Sequence, residues 1–562
     1  MTEQYIGEFL QKLKLALSEG NIKDVLTLFK DQEYDEIVKN NPAIIIPELG
    51  EYLTNRNKEN NILLFNCCVD MLCIISNTSI TEETIIGLTL QIKISDESKF
   101  TVLLSLLCKV LCNLPPGSHN HYSSVFDAIH HYLEQMEQPD YETFENEERH
   151  LVDNSEPATN IIYAYNNVII FYTQIINYIT NEEINFMDKI FLAKHLMKLL
   201  ANPLGYFPVE MIDNIRPISR PLVEEIVQKV LTFNCDPFIF SEIVLNNYYE
   251  ADDTLIQLEK LWVAHLVYLV FCEEICINVI PKVYSPLYTL DSFLPLALEL
   301  INQDNNTILI EKGLKLSHYI FTCLKNQKLS YLLLDNEVHS KFCEVISQVI
   351  VYNSSETIRK SALSIFESYL KLFEIKGVYL IITHLVPILT HGGLIGFIIT
   401  FYKNLLNEEF NRTECNINEY FRGQKLLYIL KKFCCLSEKE ETNLVNNSDH
   451  IISCLNLLRY LALRDKKNVT NIWDFFSILE EIYLKPLRKG LELSRAHYDL
   501  EINNVKQEKL NKESIQTSVN VLGVDVNIDK DEKLRILNSS LTVFDVIESL
   551  LSRLAELIEK NL

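Results

Sequence analysis

Glycine is scarce in this chain. Its 562 residues include 14 glycines, where average usage of about 7% would supply roughly 39. Dinucleotide folds, phosphate-binding loops and β-sandwiches all use glycine for tight turns and close backbone approach, so the shortage counts against each. Basic charge is short as well: 51 lysines and arginines face 76 aspartates and glutamates, a formal charge of −25. A nucleic-acid partner requires a basic stripe, and only short pairs such as Arg359–Lys360 and Lys431–Lys432 are present. No nucleic acid and no anionic membrane surface is therefore expected as a partner. The acidity suits a partner with a basic face, although solubility alone is the simpler account.

Neither a secretion signal nor a membrane span is expected. The opening MTEQYIGEFLQKLKLALSEG has no uninterrupted apolar run of the kind a signal peptide carries, and it reads as an amphipathic helix. The 14 cysteines are scattered, mostly inside apolar runs (Cys67–Cys68, Cys272, Cys454), unlike a small secreted disulfide scaffold. Reduced thiols in a cytoplasmic or nuclear protein are the expectation, which leaves sequon-like triplets such as Asn77–Thr78–Ser79 without meaning. From Gly377 to Tyr402 no residue is charged, a length that could span a bilayer. His384, Pro387 and the run Thr390–His391–Gly392–Gly393 interrupt it, and a turn there would leave two pieces of core-helix size. No membrane partner is expected.

Catalytic signatures are absent too. There is no G-x-x-x-x-G-K-[ST], no G-x-G-x-x-G, no G-x-S-x-G and no H-E-x-x-H. His391–Gly392–Gly393 has no nucleophile elbow to serve and reads as a turn. The nearest approach to a metal site is Cys108 and Cys112, one helical turn apart, followed by His119 and His121 after a Pro–Pro–Gly turn. Zinc takes four such ligands, but the run VLLSLLCKVLCNL is where buried cysteines act as small hydrophobes. Cys434–Cys435 and His130–His131 are weaker still. The expectation is a protein without catalytic residues, cofactor or metal, acting by binding.

What the sequence has in plenty is helical periodicity. In Thr357–Phe373 the apolar positions Ile358, Ala362, Ile365, Phe366, Tyr369, Leu370 and Phe373 follow the i, i+3/i+4 stripe of an amphipathic helix, with Ser355 placed as its cap and Glu356 at its positive end. Asp449–Leu463 repeats the pattern through Ile451, Leu455, Leu458 and Ala462, with Asn447 or Ser448 as cap. No stretch alternates long enough for a sheet. Many helices with one broad apolar face each pack in pairs, so the expected fold is all-α, an irregular HEAT/armadillo-like α-solenoid. At about 40–47 residues per unit, roughly a dozen fit, without a strict internal repeat.

Two segments break the pattern. Glu134–Glu156 holds nine acids and one arginine, and with Pro157 it reads as an exposed acidic loop, 134–157. The polar stretch 501–531 reads as a long loop with a short ordered patch at Val519–Val526. A last helix over 532–560 carries Leu534, Leu537, Leu541, Phe544, Leu551 and Ile558 at near-heptad spacing, read as the final core face of a solenoid. The expected division is an N-terminal repeat region, 1–330, and a C-terminal one, 331–562.

The C-terminal third also carries specific strings: Asn447–Ser448–Asp449, Leu455–Asn456–Leu457–Leu458–Arg459–Tyr460–Leu461, Leu484–Lys485–Pro486–Leu487, Gly490–Leu491 and Ser494–Arg495–Ala496–His497–Tyr498, then Phe544–Asp545, Ile547–Glu548–Ser549 and Glu556–Leu557–Ile558. Upstream, Tyr268–Phe271, Ser285–Tyr288, Lys312–Leu314 and Phe397–Ile399 continue in order. In these strings the chain resembles the glomulin family of FK506-binding-protein-associated proteins, inhibitors of cullin–RING ubiquitin ligases. The resemblance implies HEAT-like repeats. It also implies that the C-terminal region, 331–562, binds the RING-box subunit of a cullin–RING ligase, beside its cullin. That would cover the surface that recruits the ubiquitin-conjugating enzyme, so that ubiquitination is regulated by occlusion. The residues placed to carry such a contact are Arg459 at the edge of its stripe, Lys485 and Arg488 flanking Pro486, and Arg495, His497 and Tyr498, since arginine and tyrosine are favoured at hot spots; the same residues could instead tie helices together. An alternative is a helical-repeat scaffold for another partner, such as an FK506-binding immunophilin or a receptor tail.

Overall fold

The computed structural model describes residues 3–94, 96–113, 119–142, 144, 148–180, 186–212, 215–233, 236–246, 253–280, 283–303, 306–325, 327–412, 417–510, 518–521, 524–527 and 530–561. Helices account for nearly all regular structure among these residues, and the fold is an all-α helical-repeat array. Two compact units form, Met1–Thr322 and Cys323–Leu562.

The reason is local and repeated. Several helices open on a polar cap: Asp96 accepts from Lys99 N at 3.0 Å, Ser285 from Tyr288 N at 3.2 Å, and Ser355 from Ile358 N at 3.5 Å. Each then turns an apolar face onto sequence neighbours. In the first unit, Pro42–Gly50 packs on Glu82–Ile92, Glu97–Leu111 on Glu156–Thr180, and Asp253–Phe271 on Pro286–Ile301. In the second, Glu337–Tyr352 packs on Glu356–Leu372, and Gly392–Arg412 on Ser448–Arg464. The terminal helix Lys530–Asn561 covers Ser448–Arg464 and Lys485–Leu510.

The predicted stripes appear where the periodicity put them. Ile358, Ala362, Ile365, Phe366, Tyr369, Leu370 and Phe373 are all buried, as are Ile451, Leu455, Leu458 and Ala462. Asn447 holds the cap position of its helix, but its amide donates to Asn443 O at 2.9 Å instead of capping. The uncharged run 377–402 divides into helices Ile375–Leu385 and Gly392–Arg412 around the expected turn. Among the described residues no helix is long and apolar enough to cross a membrane. The final helix buries Phe544, Ile547, Leu551 and Leu554 completely or nearly so, and Leu534, Leu537, Leu541 and Ile558 are half-buried.

One reading changes and two are sharpened. The stretch 501–510 is not loop: helix Lys485–Leu510 runs through it, with Ile502 and Val505 buried and Asn503, Asn504 and Lys506 exposed. The patch near 519–526 is a two-stranded antiparallel hairpin, Ser518–Val521 with Val524–Asn527, too short for an alternation to register as a sheet. In the acidic segment 134–157 most of the described acids are exposed, as expected, but the segment is also pinned. Tyr141 and Val152 are buried, the Tyr141 hydroxyl donates to Asp153 at 2.8 Å, and Arg149 makes a two-pronged pair with Glu311 at 2.7 and 3.0 Å. Its residues 143 and 145–147 lie outside the described residues.

The loop after helix Ser448–Arg464 hangs on one buried carboxylate. Asp465 accepts from Val469 N (2.8 Å), Thr470 N (2.7 Å) and the Thr470 hydroxyl (2.6 Å). Removing it strands donors that water cannot reach. Asp465→Ala is expected to cost the second unit about 2 kcal/mol, read as a lower urea midpoint; an unchanged midpoint would show that the loop finds other partners.

Candidate protein-binding surface

The strings singled out in the C-terminal third do several different jobs. Leu455, Leu457, Leu458 and Leu461 are fully buried, so most of LNLLRYL is core. Its outer residues divide. The Tyr460 hydroxyl donates to Asn407 Oδ1 at 2.9 Å, fixing one helix to the next. Arg459 is half-buried and has no hydrogen-bond or ion-pair partner among the described residues.

Helix Lys485–Leu510 follows a wide turn, Glu480–Leu484. That turn supplies carboxylates to the basic residues around Pro486: Arg488 takes both oxygens of Glu480, one at 3.2 Å, and Lys485 lies 3.5 Å from Glu481. Lys489 reaches Glu440 at 2.9 Å. These exposed pairs hold little energy, about 1 kcal/mol at most, and all three cations remain near solvent.

Further along, the helix meets the terminal one. Arg495 Nη2 donates to Asp545 Oδ1 at 2.6 Å and to Glu548 Oε2 at 2.7 Å, and its hydrogen bond to Asp545 raises its pKa above the ordinary arginine value. The Tyr498 ring stands edge-on to Phe544, 5.2 Å between centroids at 89°. Both residues fasten the terminal helix. His497 is different: it is exposed and touches only the edge of the Tyr498 ring, at 5.8 Å, among the contacts described. The six residues therefore do not form one cluster. Arg495, His497 and Tyr498 lie together on one helix, Lys485 and Arg488 lie near its start, and Arg459 sits on another.

The sequence reading missed an apolar ridge. Leu493 is 58% exposed and Leu500 is 63% exposed, and with His497 between them they occupy positions i, i+4 and i+7, one face of the helix. The core face of the same helix uses Leu487, Leu491, Ile502 and Val505. Two apolar stripes on one helix were visible in LELSRAHYDLEI, but the second was not separated from the first. Ile482, before the helix, is also exposed.

No group of three or more His, Cys, Asp or Glu side chains is arranged to hold a metal among the described residues. Cys108 and Cys112 stand with sulfurs 4.0 Å apart, Cys108 donates to Gln174 Oε1 at 2.9 Å, and burial pushes the Cys108 thiol up to about 12. A protonated, buried thiol is a poor ligand. The Pro–Pro–Gly turn and the side chain of His119 lie outside the described residues. Cys434 and Cys454 form a buried thiol pair at 3.3 Å.

Comparison with known proteins finds similarity over part of the chain. Residues 256–524 match the model of the family described as "Uncharacterised protein family, YAP/Alf4/glomulin". Human glomulin is 33% identical over 364 residues, 64% of this chain and 58% of that protein. Mouse glomulin is 34% identical over 302 residues, 53% of this chain and 50% of that protein. The matches thus take in about half the length of each relative. A solved circular tandem repeat protein with novel repeat topology and enhanced subunit contact surfaces aligns over 99% of this chain and 96% of its own, at 11% identity and a TM-score of 0.20, too low a score to bear on the fold.

Proposed function

We propose, from the match of residues 256–524 to the YAP/Alf4/glomulin family model, that the chain inhibits cullin–RING ubiquitin ligases by binding their RING-box subunit through its C-terminal region. The bound region covers the site where the ubiquitin-conjugating enzyme docks, and transfer stops by occlusion. Such a mechanism needs no reacting side chain. It needs a rigid surface of roughly 800 Å² on each partner with a few anchors, which packed helices supply.

The observation that carries the reading is the ridge Leu493–His497–Leu500 on the helix of the family strings. Exposed leucines two turns apart are costly to leave in water and become favourable once a partner covers them. Arg459, Lys485 and Arg488 would contribute polar contacts at the rim. Arg495 and Tyr498 support the surface by holding the terminal helix against it. Charge reversal at Arg495 would thus weaken binding through packing, and the ridge gives the cleaner test.

The full-length protein at micromolar excess is expected to stop substrate ubiquitination by a reconstituted cullin–RING ligase and to bind the isolated RING-box subunit. The double variant Leu493→Asp, Leu500→Asp is expected to weaken both by at least about tenfold, or about 1.4 kcal/mol, with its urea midpoint unchanged because both positions are exposed. Ubiquitination that continues undiminished under the full-length protein would refute the proposal.

A further inference from the structure

The second unit holds a groove that the RING-binding proposal does not use. It lies between helices Glu337–Tyr352 and Ile375–Leu385. Each of these packs elsewhere, the first on Glu356–Leu372 and both on the turn Tyr331–Asp335, but they scarcely touch each other. The two are not consecutive, since Glu356–Leu372 lies between them in the chain, and no ridge-into-groove contact closes the gap. Along the gap this helix presents the small Cys343 and Ser347 among His339, Glu344, Gln348 and Val351. A cavity of about 790 Å³ remains, alongside a helix of 16 residues that is roughly 24 Å long.

The lining has the character of a recognition groove. Ile381 and Leu385 form the far wall, and at the ends Tyr352 is 76% exposed and Ile388 is 75% exposed. Large apolar side chains left this open beside an apolar trough mark a surface meant to be covered. The rim is acidic on one side. Asp335 and Glu344 line the groove and have no hydrogen-bond or ion-pair partner among the described residues. The neighbouring lysines are engaged: Lys341 pairs with Glu337 at 3.1 Å, and Lys376 lies 3.2 Å over the Tyr331 ring. The far wall adds histidines, His384 and His391, but no lysine or arginine.

We propose that this groove is a docking slot for a basic amphipathic helix of a partner protein, whose aliphatic stripe fills the trough and whose lysines or arginines meet Asp335 and Glu344. A helix is a shape that an apolar trough between two helices accepts, read through anchors at i, i+3/i+4 and i+7. The unpaired carboxylates choose its charge, because like charge on the ligand would leave them desolvated and opposed. The slot is distinct from the Leu493–Leu500 ridge, so a partner held here could be carried alongside a ligase.

The test uses the full-length protein and a fluorescein-labelled 14-residue model helix with leucines on one face and lysines on the other. A second peptide carries glutamate at every lysine. Fluorescence anisotropy is expected to show binding of the lysine peptide and none of the glutamate peptide. Ser347→Trp, which fills the trough, should weaken the lysine peptide at least about tenfold. The pair Asp335→Lys, Glu344→Lys, on exposed positions, should do the same and admit the glutamate peptide. The proposal is overturned if the lysine peptide does not bind, or if it binds the rim-reversed protein as well as the parent, since its attraction would then be to the chain's general acidity. It is also overturned if sedimentation shows a dimer of the parent that Ser347→Trp dissociates, because the occupant would then be a second copy.

Discussion

Lowering the pH from 7 to 4 is expected to remove about 3 kcal/mol of folding stability from each unit through one histidine in each. His195 lies in helix Phe186–Leu199 of the first unit and His339 in helix Glu337–Tyr352 of the second. Burial pushes both imidazoles down to about 4, from an ordinary value near 6.5. The sign follows from proton counting. Between about 6.5 and 4 the unfolded chain holds a proton on each of these side chains and the folded chain does not, so every pH unit of descent favours unfolding by about 1.4 kcal/mol per group. The stability is fully present above 6.5, falls through that window, and stops falling below the folded value. Burial lowers His130, His265 and His450 as well, with the same sign. Lys312 acts at the other end. Burial holds it down to about 7, so the unfolded chain keeps its proton longer and stability rises with pH between about 7 and 10.5.

The two tryptophans make the histidine effect separable, since Trp262 lies in the first unit and Trp473 in the second. In a Trp262→Phe background, urea unfolding at pH 7 and pH 5 reports the second unit alone. His339 should account for about 2 kcal/mol of the difference, and His339→Gln, whose amide can still meet the Tyr369 hydroxyl now 3.1 Å from Nδ1, should lack that part. Equal pH dependence in parent and variant would mean that His339 is not held neutral.

How far the sequence could be read depended on the range of the interaction that decided each element. Thr357–Phe373 was legible because its cap, its dipole partner and its whole apolar stripe lie within 19 residues, from Ser355 to Phe373. The turn inside 377–402 was legible for the same reason, through Pro387 and the glycines beside it. Where the deciding partner is distant, the reading failed. Residues 501–510 look like loop until the terminal helix arrives to cover Ile502 and Val505. The acidic segment looks free until Glu311, 162 residues on, takes Arg149. The candidate site shows the same division. Arg495 and Tyr498 were noticed for residue type, yet what they touch is 46 to 53 residues away. Leu493 and Leu500 were passed over because only the packed structure separates a helix's second apolar stripe from its first. The groove at Cys343 and Ser347 was invisible, because a gap between helices has no periodicity of its own.

Gly396→Val is expected to cost the second unit more than about 3 kcal/mol, the upper end for overpacked cores, although the change adds only three carbons. Helices Gly392–Arg412 and Ser448–Arg464 cross at this glycine. A Cβ built on it would lie 2.8 Å from Asp449 O, 3.0 Å from Asp449 C and 3.1 Å from Ser453 Oγ. Two of those atoms are helix backbone and cannot swing aside, so the helices must part. The strain cannot stay local, because the terminal helix packs on the second of the pair. Even Gly396→Ala places the offending Cβ and should cost about 2 kcal/mol, net of the roughly 1 kcal/mol that alanine gains over glycine in helix propensity. Gly7→Ala supplies the control: it sits in helix Glu3–Ser18 with nothing within 4 Å of its Cβ, so propensity alone acts and the first unit should gain up to about 1 kcal/mol. Urea unfolding followed at Trp473 should show the Gly396 series falling from parent to alanine to valine, while the Trp262 transition stays in place. A Gly396→Ala protein as stable as its parent would show that the crossing can open without cost, and the rigid face on which the proposed inhibition depends would lose its physical basis.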